Sequence, residues 1–145
     1  MFARYLIAAI FTLSLVGCAS VPMGDAKRNA ELKTFKTNTA VAGVYIYRNE
    51  SFGAAVKMDI LVDGKALGET AAKTYFYSEL TPGKHTITSK SENDDTIEID
   101  TVAGRLYYVW QEVKMGLMYA RTKLHLVSEE EGKKGVLESE LIATK

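Results

Sequence analysis

From Val41 onward, apolar and polar positions alternate with a period of two, the side-chain period of a half-buried strand. Val44-Tyr45-Ile46-Tyr47 predicts a first strand. Val56, Met58, Ile60 and Val62 alternate with Lys57, Asp59, Leu61 and Asp63 and predict a second. Asp63-Gly64, a pair that accepts two positive φ angles in a row, closes a hairpin onto a short strand through Ala66-Leu67-Gly68. Further strands are predicted at 74–77, 85–88, 96–101, 105–113 and 121–127. Pro82-Gly83 punctuates them, because proline presets φ and glycine accepts φ > 0. The polar run Ser91 to Asp95 and Gly104 mark two more turns. Ahead of the strands, Asp25 is a helix N-cap, and Ala26 to Phe35 are good helix formers with Leu32 and Phe35 on one face. Ser128-Glu129-Glu130-Glu131 has the capping-box pattern and predicts a short C-terminal helix, against which Gly132 and Gly135 count.

Seven or eight short strands with turn signals every 8 to 12 residues or so predict an all-β fold, an antiparallel β-sandwich or barrel. The predicted organisation is a leader at 1–17, a tether and short helix at 18–39, and a sandwich domain at 40–145.

The start of the chain follows another pattern. Arg4 is the only charge before Asp25, and Tyr5 to Val16 form an apolar run of twelve residues. A membrane-spanning helix needs about 20 residues, so this run has the shape of a secretory signal peptide. It ends in Leu15-Val16-Gly17-Cys18, where small residues precede a cysteine. All four positions resemble the lipobox of bacterial lipoproteins. The resemblance implies that residues 1–17 are removed and that the Cys18 sulfur is diacylated, with its new amino group acylated in turn. It also implies sorting to the outer membrane, because Ala19 stands where an aspartate tends to retain such proteins in the inner membrane. The alternative is an ordinary signal peptide with a chance cysteine.

Composition narrows the rest. The 145 residues are 47% hydrophobic and 25% charged, which fits one folded domain and argues against a disordered or multi-pass membrane chain. Lysine plus arginine and aspartate plus glutamate are 18 each. A neutral chain has no long-range field to attract nucleic acid, and none is expected as a partner. A neutral body does not hold a membrane by charge, so the lipid must. Cys18 is the single cysteine, so an intrachain disulfide is impossible.

Two segments carry a further resemblance. Val62-Asp63-Gly64-Lys65 and Leu80-Thr81-Pro82-Gly83-Lys84-His85 resemble the turns of PEGA-type domains, small β-sandwiches. Tyr45 to Glu50, Val62 to Lys65, Thr74 to Phe76, Pro82 to His85, Tyr107 to Val109 and Gln111 to Lys114 resemble the bacterial domain-of-unknown-function 2846 family, over about residues 30 to 142. This implies a PEGA-like or immunoglobulin-like sandwich. It implies no activity, cofactor or catalytic residue.

Aromatic residues recur two apart: Tyr45/Tyr47, Tyr75/Tyr77 and Tyr108/Trp110. On a strand each pair shares a face. The two readings are cross-strand packing and an exposed strip that binds a peptide, glycan or protein. Tyr108, Trp110, Glu112 and Lys114 share one face of one strand and form the candidate binding surface. His85 and His125, the only histidines, lack metal-ligand spacing, and Glu92, Asp94 and Asp95 lack the register of a calcium loop. No metal or other cofactor is expected. Gly-x-Ser-x-Gly, His-Glu-x-x-His and the phosphate-cradling glycine loop are absent from the sequence, so no catalytic residue is assigned.

The expectation is therefore a non-catalytic outer-membrane lipoprotein facing the periplasm, which binds an envelope protein or peptidoglycan. A second reading is a structural or accessory subunit that adds an edge strand to an assembly. A hydrolase is third.

Overall fold

The computed structural model describes residues 20–144. Cys18 and the expected leader at 1–17 lie outside the described residues. Nine strands and two helices follow in order: α1 (Ala26–Leu32), β1 (Ala42–Arg48), β2 (Met58–Val62), β3 (Lys65–Thr70), β4 (Thr74–Leu80), β5 (Gly83–Lys90), β6 (Asp94–Thr101), β7 (Leu106–Met115), β8 (Ala120–Val127), α2 (Glu129–Leu137) and β9 (Glu140–Leu141). They build an all-β sandwich of a five-stranded sheet, β8-β7-β1-β4-β9, and a four-stranded sheet, β3-β2-β5-β6. The smaller sheet is antiparallel throughout. The larger is mixed, because β1 runs parallel to β7 and β4 parallel to β9. A hairpin joins only antiparallel neighbours, so local turn signals do not reveal such pairs.

The predicted turns form for the predicted reasons. Asp63 and Gly64 take φ of 50° and 77°, the paired positive angles of a tight hairpin. Asp25 caps α1 by accepting the Arg28 amide, and Ser128 caps α2 by accepting the Glu131 amide.

Between the sheets lies an aliphatic core that includes Val44, Ile46, Ile60, Phe76, Ile87, Ile99, Val109 and Leu124. A hydrogen-bonded polar chain crosses it. Thr70 donates to Gln111 Oε1 at 2.5 Å, Gln111 Nε2 donates to Ser89 Oγ at 2.6 Å, and Ser89 meets Thr122 Oγ1 at 2.7 Å. All four side chains are buried, so each needs these partners.

A third layer was not predicted. The outer face of the larger sheet carries Tyr45, Tyr47, Tyr75 and Tyr108, and α1 and α2 close over it with Leu32 and Val136. All seven positions of β1 are consequently buried. The glycines of α2 make the approach possible. A Cβ on Gly135 would collide with the Tyr47 ring, and one on Gly132 with the Tyr108 ring.

Of the expected tether and helix at 18–39, the stretch at 21–24 is docked on the sandwich rather than free. Val21 is buried in the inter-sheet core, and Met23 bridges Ile142 antiparallel. The Gly24 amide donates to Leu141 O and the Ala143 amide to Pro22 O. The apolar Val21 explains the docking: a small-residue tether has no side chain worth burying, whereas valine does.

Candidate functional site

The candidate surface Tyr108, Trp110, Glu112 and Lys114 lies along one face of β7, as the alternation predicts. The four residues nevertheless meet different surroundings, because α2 covers only the start of that face. Tyr108 is 1% exposed and stacks on Tyr45 with ring centroids 5.3 Å apart. It therefore contributes no surface, which corrects its place in the patch. Trp110 and Glu112 are half-buried and Lys114 is exposed. Of the aromatic pairs, Tyr45, Tyr47, Tyr75 and Tyr108 pack under the helices, and Tyr77 and Trp110 lie at the rim.

Around Trp110 the sheet register assembles a polar cluster. Trp110 pairs with His125 and Glu112 with Lys123 across β7 and β8. The Trp110 indole stacks on the His125 imidazole at 4.9 Å with 23° between planes. His125 Nε2 lies 2.8 Å from Glu112 Oε2. Glu50, from the β1–β2 connection, accepts the Trp110 indole N–H at 3.3 Å and the Val113 amide at 3.1 Å. The result is a fixed aromatic face edged by the Glu50 and Glu112 carboxylates, with Lys114 further along the same side of β7. Such a face suits stacking on a planar or CH-rich group with hydrogen bonds at its rim. His125 and Glu50 belong to the cluster, and the sequence reading missed both. The register of β7 against β8 is what brings His125 opposite Trp110.

Behind Glu50 sits Arg48, whose side chain is wholly buried at the end of β1. Its Nη1 donates to Val56 O and its Nη2 to Gly53 O, each at 2.7 Å, and its Nε lies 3.9 Å from Glu50 Oε1. Burial pulls its pKa below the ordinary arginine value, and Glu50 opposes that. Arg48 thus ties the 49–57 connection that delivers Glu50 to Trp110.

The two turns that carry the PEGA-type resemblance touch one another. His85 Nδ1 donates to Asp63 Oδ2 and Nε2 to Thr81 O, both at 2.6 Å, while Asp63 Oδ1 accepts the Thr86 amide. The hydrogen bond that Asp63 accepts raises the His85 pKa, and the same bond lowers that of Asp63.

Glu92, Asp94 and Asp95, expected as a solvated turn, mostly hold backbone. Asp95 accepts the Leu124 amide, and Glu92 accepts the amides of Leu117 and Met118. Asp94 lies 3.9 Å from Lys90. Among the described residues no group of three or more histidine, cysteine or acidic side chains is placed to hold a metal ion.

The geometry defines a helix-covered β-sandwich with a rigid aromatic and acidic patch at one rim. The chain belongs to the family of proteins of unknown function DUF2846, whose model matches residues 38–123. It is also 36% identical over 138 residues to an uncharacterized protein of Haemophilus influenzae, across 94% of this chain and 82% of that protein.

Proposed function

We propose that this protein is a lipid-anchored envelope lipoprotein, facing the periplasm from the outer membrane, and that its sandwich is a non-catalytic binding module. The observation that carries the anchor is the sequence Leu15-Val16-Gly17-Cys18 at the end of the apolar run, two residues before the described chain begins. Two or three acyl chains at about 0.8 kcal/mol per buried CH₂ make detachment slow, where one chain gives only marginal binding.

The binding role rests on the rim of β7. Trp110, Glu112, His125 and Lys114 present an aromatic and charged surface held by Glu50 and Arg48. A partially exposed tryptophan fixed from two sides is a typical interface anchor. The occupant this chemistry fits is an envelope protein or the peptide and sugar surface of peptidoglycan. The second reading, an accessory subunit joined through an edge strand, draws on β3, which ends the smaller sheet among the described residues.

In-cell crosslinking of the full chain tests the module. Wild type should yield a defined set of envelope partners, and Trp110→Ala with Glu112→Gln should remove at least the major one. An unchanged set of crosslinks would exclude the rim of β7 as the binding surface.

A further inference from the structure

The β7–β8 hairpin ends in an apolar tip. Met115 is 80% exposed, Leu117 96%, Met118 93% and Tyr119 52%. Single exposed apolar side chains are ordinary, but four within five residues at the point of a hairpin are not. Residues 111–115 run beyond the last pairing of β7 with β1, Tyr47 to Trp110, so the hairpin reaches past β1. The turn is also held in shape. Glu92 Oε1 accepts the Leu117 amide at 3.1 Å and the Met118 amide at 2.8 Å. A Cβ on Gly116 would displace that carboxylate from the two amides, so glycine suits the turn as it is held.

The tip shares one end of the sandwich with the start of the described chain. Tyr119 Oη accepts the Lys57 amide from the β1–β2 connection, whose Phe52 is 54% exposed. Asn49 O in that connection accepts from Lys73 Nζ of the β3–β4 turn. Ser20 and Val21 line a small cavity with Ala71, Ala72, Lys73 and Thr74 of the same turn. Val21 is fixed in the core, so three residues, at about 3.5 Å each, leave Cys18 within roughly 10 Å of it.

We propose that this end of the molecule seats on a lipid bilayer, with Met115, Leu117, Met118 and Phe52 in the headgroup–acyl boundary. The proposal rests on the reading of Cys18 as the lipidated residue, because a leash of three residues brings that end to the surface. Cations stand close to the tip. Lys114 and Arg121 pair across the hairpin directly behind it, and Lys57 and Lys73 are exposed at the same end, while the acids there, Glu138 and Glu140, are bonded to Asn49 and Lys33. Long cationic side chains beside an apolar insertion reach the phosphate layer while their stems stay apolar. Glu92, the acid nearest the tip, has its carboxylate turned onto the two amides.

The test uses the full-length gene product purified from membranes, as Leu117→Trp, in vesicles of phosphatidylethanolamine with a minority of phosphatidylglycerol. Acyl chains carrying bromine report depth, and the parent protein supplies the Trp110 background. The added indole should be quenched to about half, since interfacial groups sink roughly 5–10 Å into the boundary. Leu117→Asp with Met118→Asp should leave the fold intact and, with a photocrosslinker at Phe52, lose crosslinks to lipid. An unquenched, water-like emission from Leu117→Trp would overturn the proposal, as would a crosslinker at Met118 that captures protein instead of lipid. The intact mass of the same sample reports acylation separately. Quenching with an unmodified Cys18 would sustain the seated tip and remove the anchor reading, whereas acylation without quenching would do the reverse.

Discussion

Replacing Tyr45 by alanine should cost about 3–5 kcal/mol of folding stability, the range for removing a large buried aromatic side chain. Tyr45 is the hub of the outer layer. Its ring lies 4.9 Å from Tyr77, 5.3 Å from Tyr108, 5.6 Å from Phe35 and 6.0 Å from Tyr75. Its hydroxyl donates to Leu32 O at 2.8 Å and so fastens the end of α1 to the sheet. Desolvation raises its pKa, with the neighbouring tyrosines adding to the shift, and the hydroxyl stays neutral. Tyr45→Phe keeps the rings and removes one hydrogen bond, so it should cost about 0.5–1.5 kcal/mol. Urea unfolding of both variants checks the pair. A domain of this size has roughly 5–15 kcal/mol in total, so the alanine variant should unfold at a clearly lower urea concentration. A loss under about 1 kcal/mol for Tyr45→Ala would mean that the helices do not pack on this sheet.

Arg48→Met should be nearly as damaging, by about 3 kcal/mol, because removing one member of a buried ionic cluster strands the others. Methionine fills much of the volume but leaves Gly53 O and Val56 O without their donor and the Glu50 carboxylate without its neighbouring positive charge. Adding Glu50→Gln should recover part of the loss, since it removes the stranded charge. The variant should also release the 49–57 connection, and Trp110 with it, because Glu50 is the acceptor of the indole N–H. Hydrogen exchange of Val56 and Val113, read beside urea unfolding, separates this local release from global destabilisation. An Arg48→Met protein as stable as wild type, with unchanged exchange at Val113, would contradict this role.

The sequence exposed what is local and hid what is not. Period-two alternation located β1 to β8 but not the two-residue β9, Asp63-Gly64 the hairpin, and Asp25 and Ser128 the two caps, because each signal acts over a few residues. The covered face of β1 left no such mark. Val44 and Ile46 face one core while Tyr45 and Tyr47 face another, and a strand apolar on both sides does not say what covers its second face. Gly132 and Gly135 looked like arguments against a helix, yet they mark the side on which α2 meets the tyrosines. Arg48 reads as an ordinary charged residue ending a strand, and only its partners in the connection explain its burial.

The candidate site was legible in part. Trp110, Glu112 and Lys114 share a face as alternation requires, whereas the burial of Tyr108 depends on a helix twenty residues further on. His125 and Glu50 join through pairings that no spacing in the sequence encodes. The apolar run Met115-Gly116-Leu117-Met118-Tyr119 was readable all along, since a turn between two strands is ordinarily polar.

The most direct measurement is the intact mass of the protein extracted from cell membranes, followed by fragmentation of its N-terminal peptide. A lipid-anchored protein gives a chain that starts at Cys18, heavier than the residues from 18 onward by the mass of two or three acyl chains, with the added mass on that residue. An unmodified cysteine, or a chain that still carries residues 1–17, would contradict the anchor.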